Sequence, residues 1–150
     1  MENMLSVAKM FNNLYKAEYG TDMDQMRMHK MMYLVQRESL MYYKVPLFND
    51  SFEGWMYGPV LVEVRNAYGT ETMFQDAPDT LSTEAQKLVK SVYRRYNKLS
   101  SWQLSTLSHG EVSWKHSREG LDANARGSVP LKLADMRLDA ARELLRRKHG

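Results

Sequence analysis

From Thr83 to Tyr96 the apolar residues Ala85, Leu88, Val89, Val92, Tyr93 and Tyr96 follow one another in steps of three and one, which places all six on one face of an α-helix. A β-strand alternates its side chains every second residue and cannot bury this set on one side. The same spacing recurs in Met4, Val7, Phe11 and Leu14, joined by Met10 and Tyr15, and again in Leu138, Ala141, Leu144 and Leu145. The four prolines and eight glycines fall where these runs stop, as punctuation between helices rather than as linkers. The expectation is therefore a mainly α fold, one compact domain over residues 1–150 with six or seven helices. One short extended or hairpin segment is expected around Phe48 to Tyr57, where Phe52, Glu53, a glycine, Trp55, Met56 and Tyr57 replace the helical pattern by alternation.

The first helix is predicted to begin near Ser6 and to end at Gly20. Asp22 or Asp24 is placed to cap a second, from about Met26 to Tyr43, with Met28, Met31, Met32, Val35, Ser39 and Tyr42 inward and Arg27, Lys30 and Arg37 in water. Pro46 stops it. Gly58 permits a turn that bulkier residues resist, and Pro59 suits the first position of a short helix carrying Val60, Val64, Ala67 and Tyr68 and ending at Gly69. Thr70 to Ser82 lacks periodicity and reads as a loop, the most mobile stretch expected. Thr83 with Gln86, and Ser100 with Gln103, read as capping boxes, the second flanked by Leu99 and Leu104 at staple positions and opening a helix to about Ser108. Trp114 falls on a further short turn. After an irregular stretch from Gly120 to Pro130, the last amphipathic helix runs into the basic tail Arg146, Arg147 and Lys148.

A chain of 150 residues with 43% apolar content buries roughly two thirds of its unfolded surface, enough for one core. It has no cysteine, which excludes disulfides, thiolate zinc sites, iron–sulfur clusters and a cysteine nucleophile, and agrees with a reducing compartment. No apolar run approaches a membrane span and no signal-peptide order opens the chain, so it is read as soluble and cytoplasmic, with no membrane partner. A net charge of +3 permits nucleic acid without demanding it.

The search for chemistry finds no phosphate loop, no dinucleotide glycine motif and no nucleophile elbow. Among His29, His109, His116 and His149 no two share a metal-binding helical spacing. His109 and Glu111 match the His-x-Glu half of a zinc deaminase site, but a cysteine-free chain cannot supply the other half. The expectation is a protein that is not an enzyme, with no cofactor, no metal and no catalytic residue. His109, at the end of a capped helix, beside Glu111 and close to Trp114, reads as a hydrogen-bonded structural histidine able to pair with a helix carboxyl end or a carboxylate, and His29 sits on a polar helix shoulder. Lys87, Lys90, Arg94 and Lys98, with Arg95 beside them, form one outer face of the 83–97 helix; this is a solvated face, a site for an acidic partner, or a nucleic-acid contact. Twelve methionines, six of them from Met23 to Met41, make the second helix either an adaptable core or an adaptable surface. Trp55, Tyr57, Trp102 and Trp114 are large amphipathic groups near turns, fit to anchor an interface or a core.

The ordered string adds to this. Met26 to Gln36 (M-R-M-H-K-M-M-Y-L-V-Q), Pro46 to Phe48, and Phe52 to Val60 (F-E-G-W-M-Y-G-P-V) resemble the SocA-like antitoxin family, the Panacea domain, linked to phage-associated GepA proteins. A second block, L-S-S-W from Leu99 to Trp102, L-S-T-L-S-H from Leu104 to His109, then Glu111, Trp114 and Lys115, is similar to the family's second motif. Ser108 stands for a usual threonine, Ser113 for a proline and Leu34 for a tyrosine. The resemblance spans about residues 6–118 and leaves 119–150, a loop plus the C-terminal helix, outside it. It singles out Glu53, Trp55, Tyr57, Gly58, Pro59, Trp102, His109, Glu111 and Trp114 as family-motif or partner-binding candidates, and Gly58 and Pro59 as scaffold. It implies a mainly helical, non-enzymatic protein of prophages or mobile elements that neutralises a toxin by direct binding, in some members as an adaptor presenting the toxin to a cellular protease. A nucleic-acid-binding regulator using the basic face, or a phage inhibitor acting on another host protein, is the alternative, and a homodimer through an apolar helix face stays open.

Overall fold

Fourteen consecutive residues, Met28 to Met41, are buried, and they include Lys30, Arg37 and Glu38 as well as the methionines. A helix buried all round must be the axis of the fold, and the other elements wrap it. The computed structural model describes residues 1–149. In chain order it contains α1 (Met4–Tyr19), α2 (Gln25–Tyr42), β1 (Glu53–Trp55), β2 (Gly58–Val60), α3 (Val62–Ala67), α4 (Thr83–Tyr96), α5 (Ser101–His109), α6 (Val112–Ser117) and α7 (Leu133–His149). The architecture is mainly α, a single compact domain with one small antiparallel hairpin.

α2 is the axial helix, with α1, α4, α5, α7 and the hairpin packed against it. The core joins Phe11 of α1, Met28, Met31, Met32 and Val35 of α2, Phe48 and Phe52 of the approach to the hairpin, and Leu88, Val89 and Val92 of α4. The methionines of α2 thus serve the core, apart from Met26, which stays exposed.

Local signals set the ends. Asn3 caps α1, accepting from the Ser6 N–H, and Gly20 closes it in the left-handed conformation at φ 78°. Asp24 caps α2 through the Arg27 N–H. Ser100 and Gln103 form the expected reciprocal box at α5. The expected box at Thr83 and Gln86 does not form; Ser82, one residue earlier, accepts from the Ala85 N–H, and the Gln86 amide turns back to the Leu81 carbonyl. The Trp114 turn is the short helix α6, six residues long.

Three further expectations are corrected. Lys30 and Arg37 do not lie in water: both are within a few per cent of complete burial, because α7 and the hairpin cover their face of α2, while Tyr42, expected inward, is exposed. Pro59 does not open a helix; it lies in β2 opposite Gly54, and α3 starts three residues later. In a two-stranded hairpin this position donates no ladder bond that the proline would lose. The C-terminal helix is rotated from its apolar stripe, with Leu138 and Leu145 more than half exposed and Met136, Asp139 and Ala140 buried. α7 turns carboxylates and a guanidinium inward to meet the charges of α2.

The irregular 120–130 stretch returns to the hairpin. Gly54 N–H donates to the Val129 carbonyl at 2.9 Å, Leu131 N–H donates to the Phe52 carbonyl at 2.8 Å, and Glu53 bridges to Pro130. β1 is therefore covered on both edges.

Candidate partner-binding site

The hairpin turn is built on Gly58, whose φ of +126° is a conformation that side chains resist, and whose missing Cβ leaves room for the Lys30 ammonium and the Ser108 hydroxyl. The turn is held from two sides. Lys30 Nζ donates to the Tyr57 carbonyl from α2, and His109 approaches the same backbone from the end of α5. At β1, a Cβ on Gly54 would overlap the side chain of Ser117, so α6 packs directly on the strand.

Aromatic rings then stack outward from this frame. His109 lies flat on Trp114, ring centroids 4.2 Å apart and 5° from parallel. Trp114 Nε1 donates to the Trp55 carbonyl at 2.8 Å, and Arg118 lies over the Trp114 ring at 5.5 Å. Trp55 donates its indole N–H to Glu53 at 3.0 Å and is covered by the guanidiniums of Arg65 and Arg126, each 5.0 Å from the ring centroid. Trp55 and Trp114 are half-buried and bind the hairpin to α6, whereas Tyr57 is 61% exposed at the turn and Trp102 is 80% exposed on α5. Of the motif residues, Glu53, Trp55, Tyr57, Gly58, Pro59, His109 and Trp114 are thus brought together, and Trp102 stands apart on the same helix as His109.

Glu111 does not join them. Its carboxylate turns into the interior, where Arg37 Nη1 donates to Oε1 at 2.6 Å and the Tyr33 hydroxyl lies 3.1 Å from Oε2. Of the two pairings open to His109, it lies in the last turn of α5 and pairs with no carboxylate among the described residues; burial pulls the imidazole below its ordinary value, the Tyr57 backbone opposes this, and the cations Lys30 and Arg118 add to it.

Glu111 belongs to a network that sequence reading missed. Asp139 accepts from the N–H groups of Val112 at 2.7 Å and Ser113 at 3.0 Å, and Tyr33 also reaches it at 3.1 Å. Arg147 pairs with Glu38 and, at 2.8 Å, with Glu143, while Tyr96 bridges Arg37 at 2.9 Å and Glu38 at 3.2 Å. Burial pushes the Glu111 carboxyl up to about 7; Arg37 opposes this, and the nearby Asp139 adds to it. Arg118, also unnoticed, is buried and spends its guanidinium on the carbonyls of Gly54, Asp122 and Ala125, fixing the 120s stretch beside the hairpin. No sequence signal marks Tyr33, Arg37, Glu38 or Asp139 for the network, since their partners lie far along the chain.

Beside the hairpin and the first turns of α2 lies a cavity of about 540 Å³, with Met26, His29, Lys30, Trp55, Pro59 and Arg126 among its walls. His29 is buried rather than on a polar shoulder, and burial together with Lys30 and Arg65 holds its imidazole down near pKa 4. Burial alone lowers Lys30 to about 8.

Lys87, Lys90 and Arg94 are exposed on the outer face of α4, Lys98 is exposed just beyond its end, and none is in an ion pair among the described residues. No cluster of histidine and acidic residues among the described residues has metal-binding geometry, and no helix is long and apolar enough to cross a membrane.

Comparison with curated proteins finds no match, and neither does comparison with solved structures. A family model, the SocA-like antitoxin, Panacea domain, matches residues 28–115, from the middle of α2's first turns through the hairpin to Lys115 on α6. The match covers the axial helix, the hairpin and the His109–Trp114 stack, more than half of the chain, and the protein belongs to the SocA-like antitoxin family.

Proposed function

We propose that this protein is a cytoplasmic antitoxin that neutralises a partner toxin by direct, non-enzymatic binding. The family match over residues 28–115 carries this reading. The hairpin turn and α5 offer the binding face: Tyr57 and Trp102 are large, exposed and amphipathic, the kind of side chain that anchors an interface of roughly 1,200–2,000 Å². Trp55, Trp114 and His109 hold that face rigid beneath them. Thr70 to Ser82 supplies further surface whose sequence is free to differ with the target. Inhibition then works by occupying the toxin or by delivering it to a cellular protease. The outward stripe of Leu138, Ala141 and Leu145 on α7 is where a homodimer would form.

The test is co-expression with the product of the adjacent open reading frame, from a prophage or other mobile element, scoring growth and then co-purification. Rescue from growth arrest with a stable complex supports the reading. A harmless neighbour that does not co-purify removes it.

The unpaired basic face of α4 favours one second reading, a nucleic-acid-binding regulator. It requires affinity that falls steeply with salt and is lost on replacing Lys90 and Arg94 by glutamate. Salt-independent or absent binding eliminates it.

A further inference from the structure

Two buried cations among the described residues, Lys30 and Arg118, have no carboxylate partner, and they differ in how their donors are used. Arg37 meets Glu111, Arg147 meets Glu38 and Glu143, and Arg118 fills its guanidinium with three carbonyls. Lys30, 3% exposed, makes one hydrogen bond, to the Tyr57 carbonyl, and no carboxylate stands within ion-pair distance among the described residues. An ammonium carries three donors, and a buried charge without a counter-charge is costly. Holding the hairpin turn accounts for one donor and for none of the missing charge.

The acids of β1 and of the start of α2 are engaged elsewhere. Glu53 accepts the Trp55 indole N–H, and Asp24 caps α2 through Arg27. Next to Lys30, His29 is 6% exposed; its Nε2 lies 3.1 Å from Gln25 Oε1 and its Nδ1 has no partner. The Gln25 amide presents either its oxygen or its nitrogen, so the ring can carry its proton on either nitrogen and offer Nδ1–H as a donor. Both residues line the cavity of about 540 Å³, whose other walls include Met26, Met56, Pro59, Val60 and Arg126. That volume lies within the range of small-molecule pockets.

We propose that this cavity is a binding site for a small ligand carrying one carboxylate on an apolar body, the carboxylate seated on Lys30 and His29 and the body on the methionine and proline walls. A neutral apolar ligand would leave Lys30 unanswered. The cavity shares Tyr57 with the proposed toxin face, but ligand binding is read on this chain alone, so either assignment can fail while the other stands.

The test is calorimetric titration of the full chain with 4-phenylbutyrate and with 4-phenylbutan-1-ol, which share a body and differ in charge. The acid is expected to bind, and the alcohol to bind about tenfold or more weakly. Lys30→Met should weaken the acid to the level of the alcohol. Met26→Trp, at a position 43% exposed and so compatible with folding, should block both by filling the cavity, which keeps the proposal open to refutation even where Lys30→Met fails to fold. Equal binding of acid and alcohol, binding by neither, or full binding to Met26→Trp overturns it. A blocked peptide, acetyl-Gly-Phe as acid and as amide, separates the sources: binding of the peptide acid without binding of phenylbutyrate overturns the small-ligand assignment in favour of a polypeptide C-terminus.

Discussion

Asp139 on α7 caps Ser113 on α6: its Oδ2 accepts from the Ser113 backbone N–H at 3.0 Å, and its other oxygen accepts from the preceding N–H of Val112. α6 has no capping side chain of its own, so the start of this short helix is closed by a residue 26 positions away in sequence. The donor pair is aligned with the helix dipole, which favours the negative charge at this end. The family motif up to Lys115 therefore leans on a helix that the family match does not include.

Asp139→Ala should strip the cap and leave two backbone donors short of partners, while the Tyr33 hydroxyl keeps Glu111. The expected cost is about 2–4 kcal/mol, a fall in Tm of roughly 5–15 °C for a chain of this size. Asp139→Asn, which keeps one acceptor, should recover part of it. A melting temperature unchanged in Asp139→Ala would show that the cap contributes nothing.

Glu111 and His29 should make stability depend on pH in opposite directions. The Glu111 carboxyl is raised from 4.5 to about 7, so the folded protein keeps a proton that the unfolded chain releases, and stability falls as pH rises from 4.5 to 7. The His29 imidazole is lowered from 6.5 to about 4, so the unfolded chain takes up a proton that the folded protein refuses, and stability rises from pH 4 to 6.5. Denaturant midpoints between pH 4.5 and 6.5 should shift upward with pH more steeply in Glu111→Gln than in the parent, and less steeply in His29→Gln. Each slope difference is bounded at about 1.4 kcal/mol per pH unit for a single proton. Parallel profiles for all three proteins would refute the assignment.

Gly58→Val places a branched side chain at a φ of +126° and against the ammonium of Lys30. A loss of about 1–3 kcal/mol is expected from the backbone strain alone. Because Lys30 is flexible, it can give way, but only by releasing the Tyr57 carbonyl that anchors the turn. Gly58→Val with the stability of the parent, measured by thermal melting, would contradict this.

Tyr57→Ala and Trp102→Ala remove exposed side chains and should leave stability within about 0.5 kcal/mol of the parent. Where these residues anchor the toxin, each substitution costs about 2 kcal/mol or more of affinity, some thirtyfold in Kd. Binding of the co-purified partner unaffected by both would move the interface off this face. Trp114→Ala, which unstacks His109, should lower stability as well and so cannot serve as the discriminating variant.

Two misreadings of the sequence are one interface seen from both sides. Periodicity assigns Arg37 of α2 to water, and it turns Leu138 and Leu145 of α7 inward. In the structure α2 and α7 meet through charged groups, Glu38 with Arg147 directly and Arg37 with Glu143 at 4.0 Å, so the polar sides face each other and the leucines look out. A rule that sends charge outward cannot detect this, because each buried charge is tolerable only in the presence of the other. The same limit hid Asp139, whose role depends on α6. The Panacea-type string from Glu53 to Pro59 was legible as a hairpin neighbourhood, but Pro59 read locally as a helix start, since both a helix N-terminus and a strand edge suit a residue without an N–H.

What the sequence determined by itself was what lies within one turn or one face: the six apolar residues of α4, the Ser100–Gln103 box, the glycine that ends α1, the string that marks the family, and the residue types that exclude cysteine chemistry. These are short-range, set by helical period and by backbone donors seeking a nearby acceptor. Only the tertiary structure decided that α2 is buried on every side, that Glu111 turns away from His109 toward Arg37, and that Lys30 sits without a counter-charge beside a cavity. Those outcomes depend on which distant charge arrives to compensate desolvation, and that is a property of packing that no local pattern encodes.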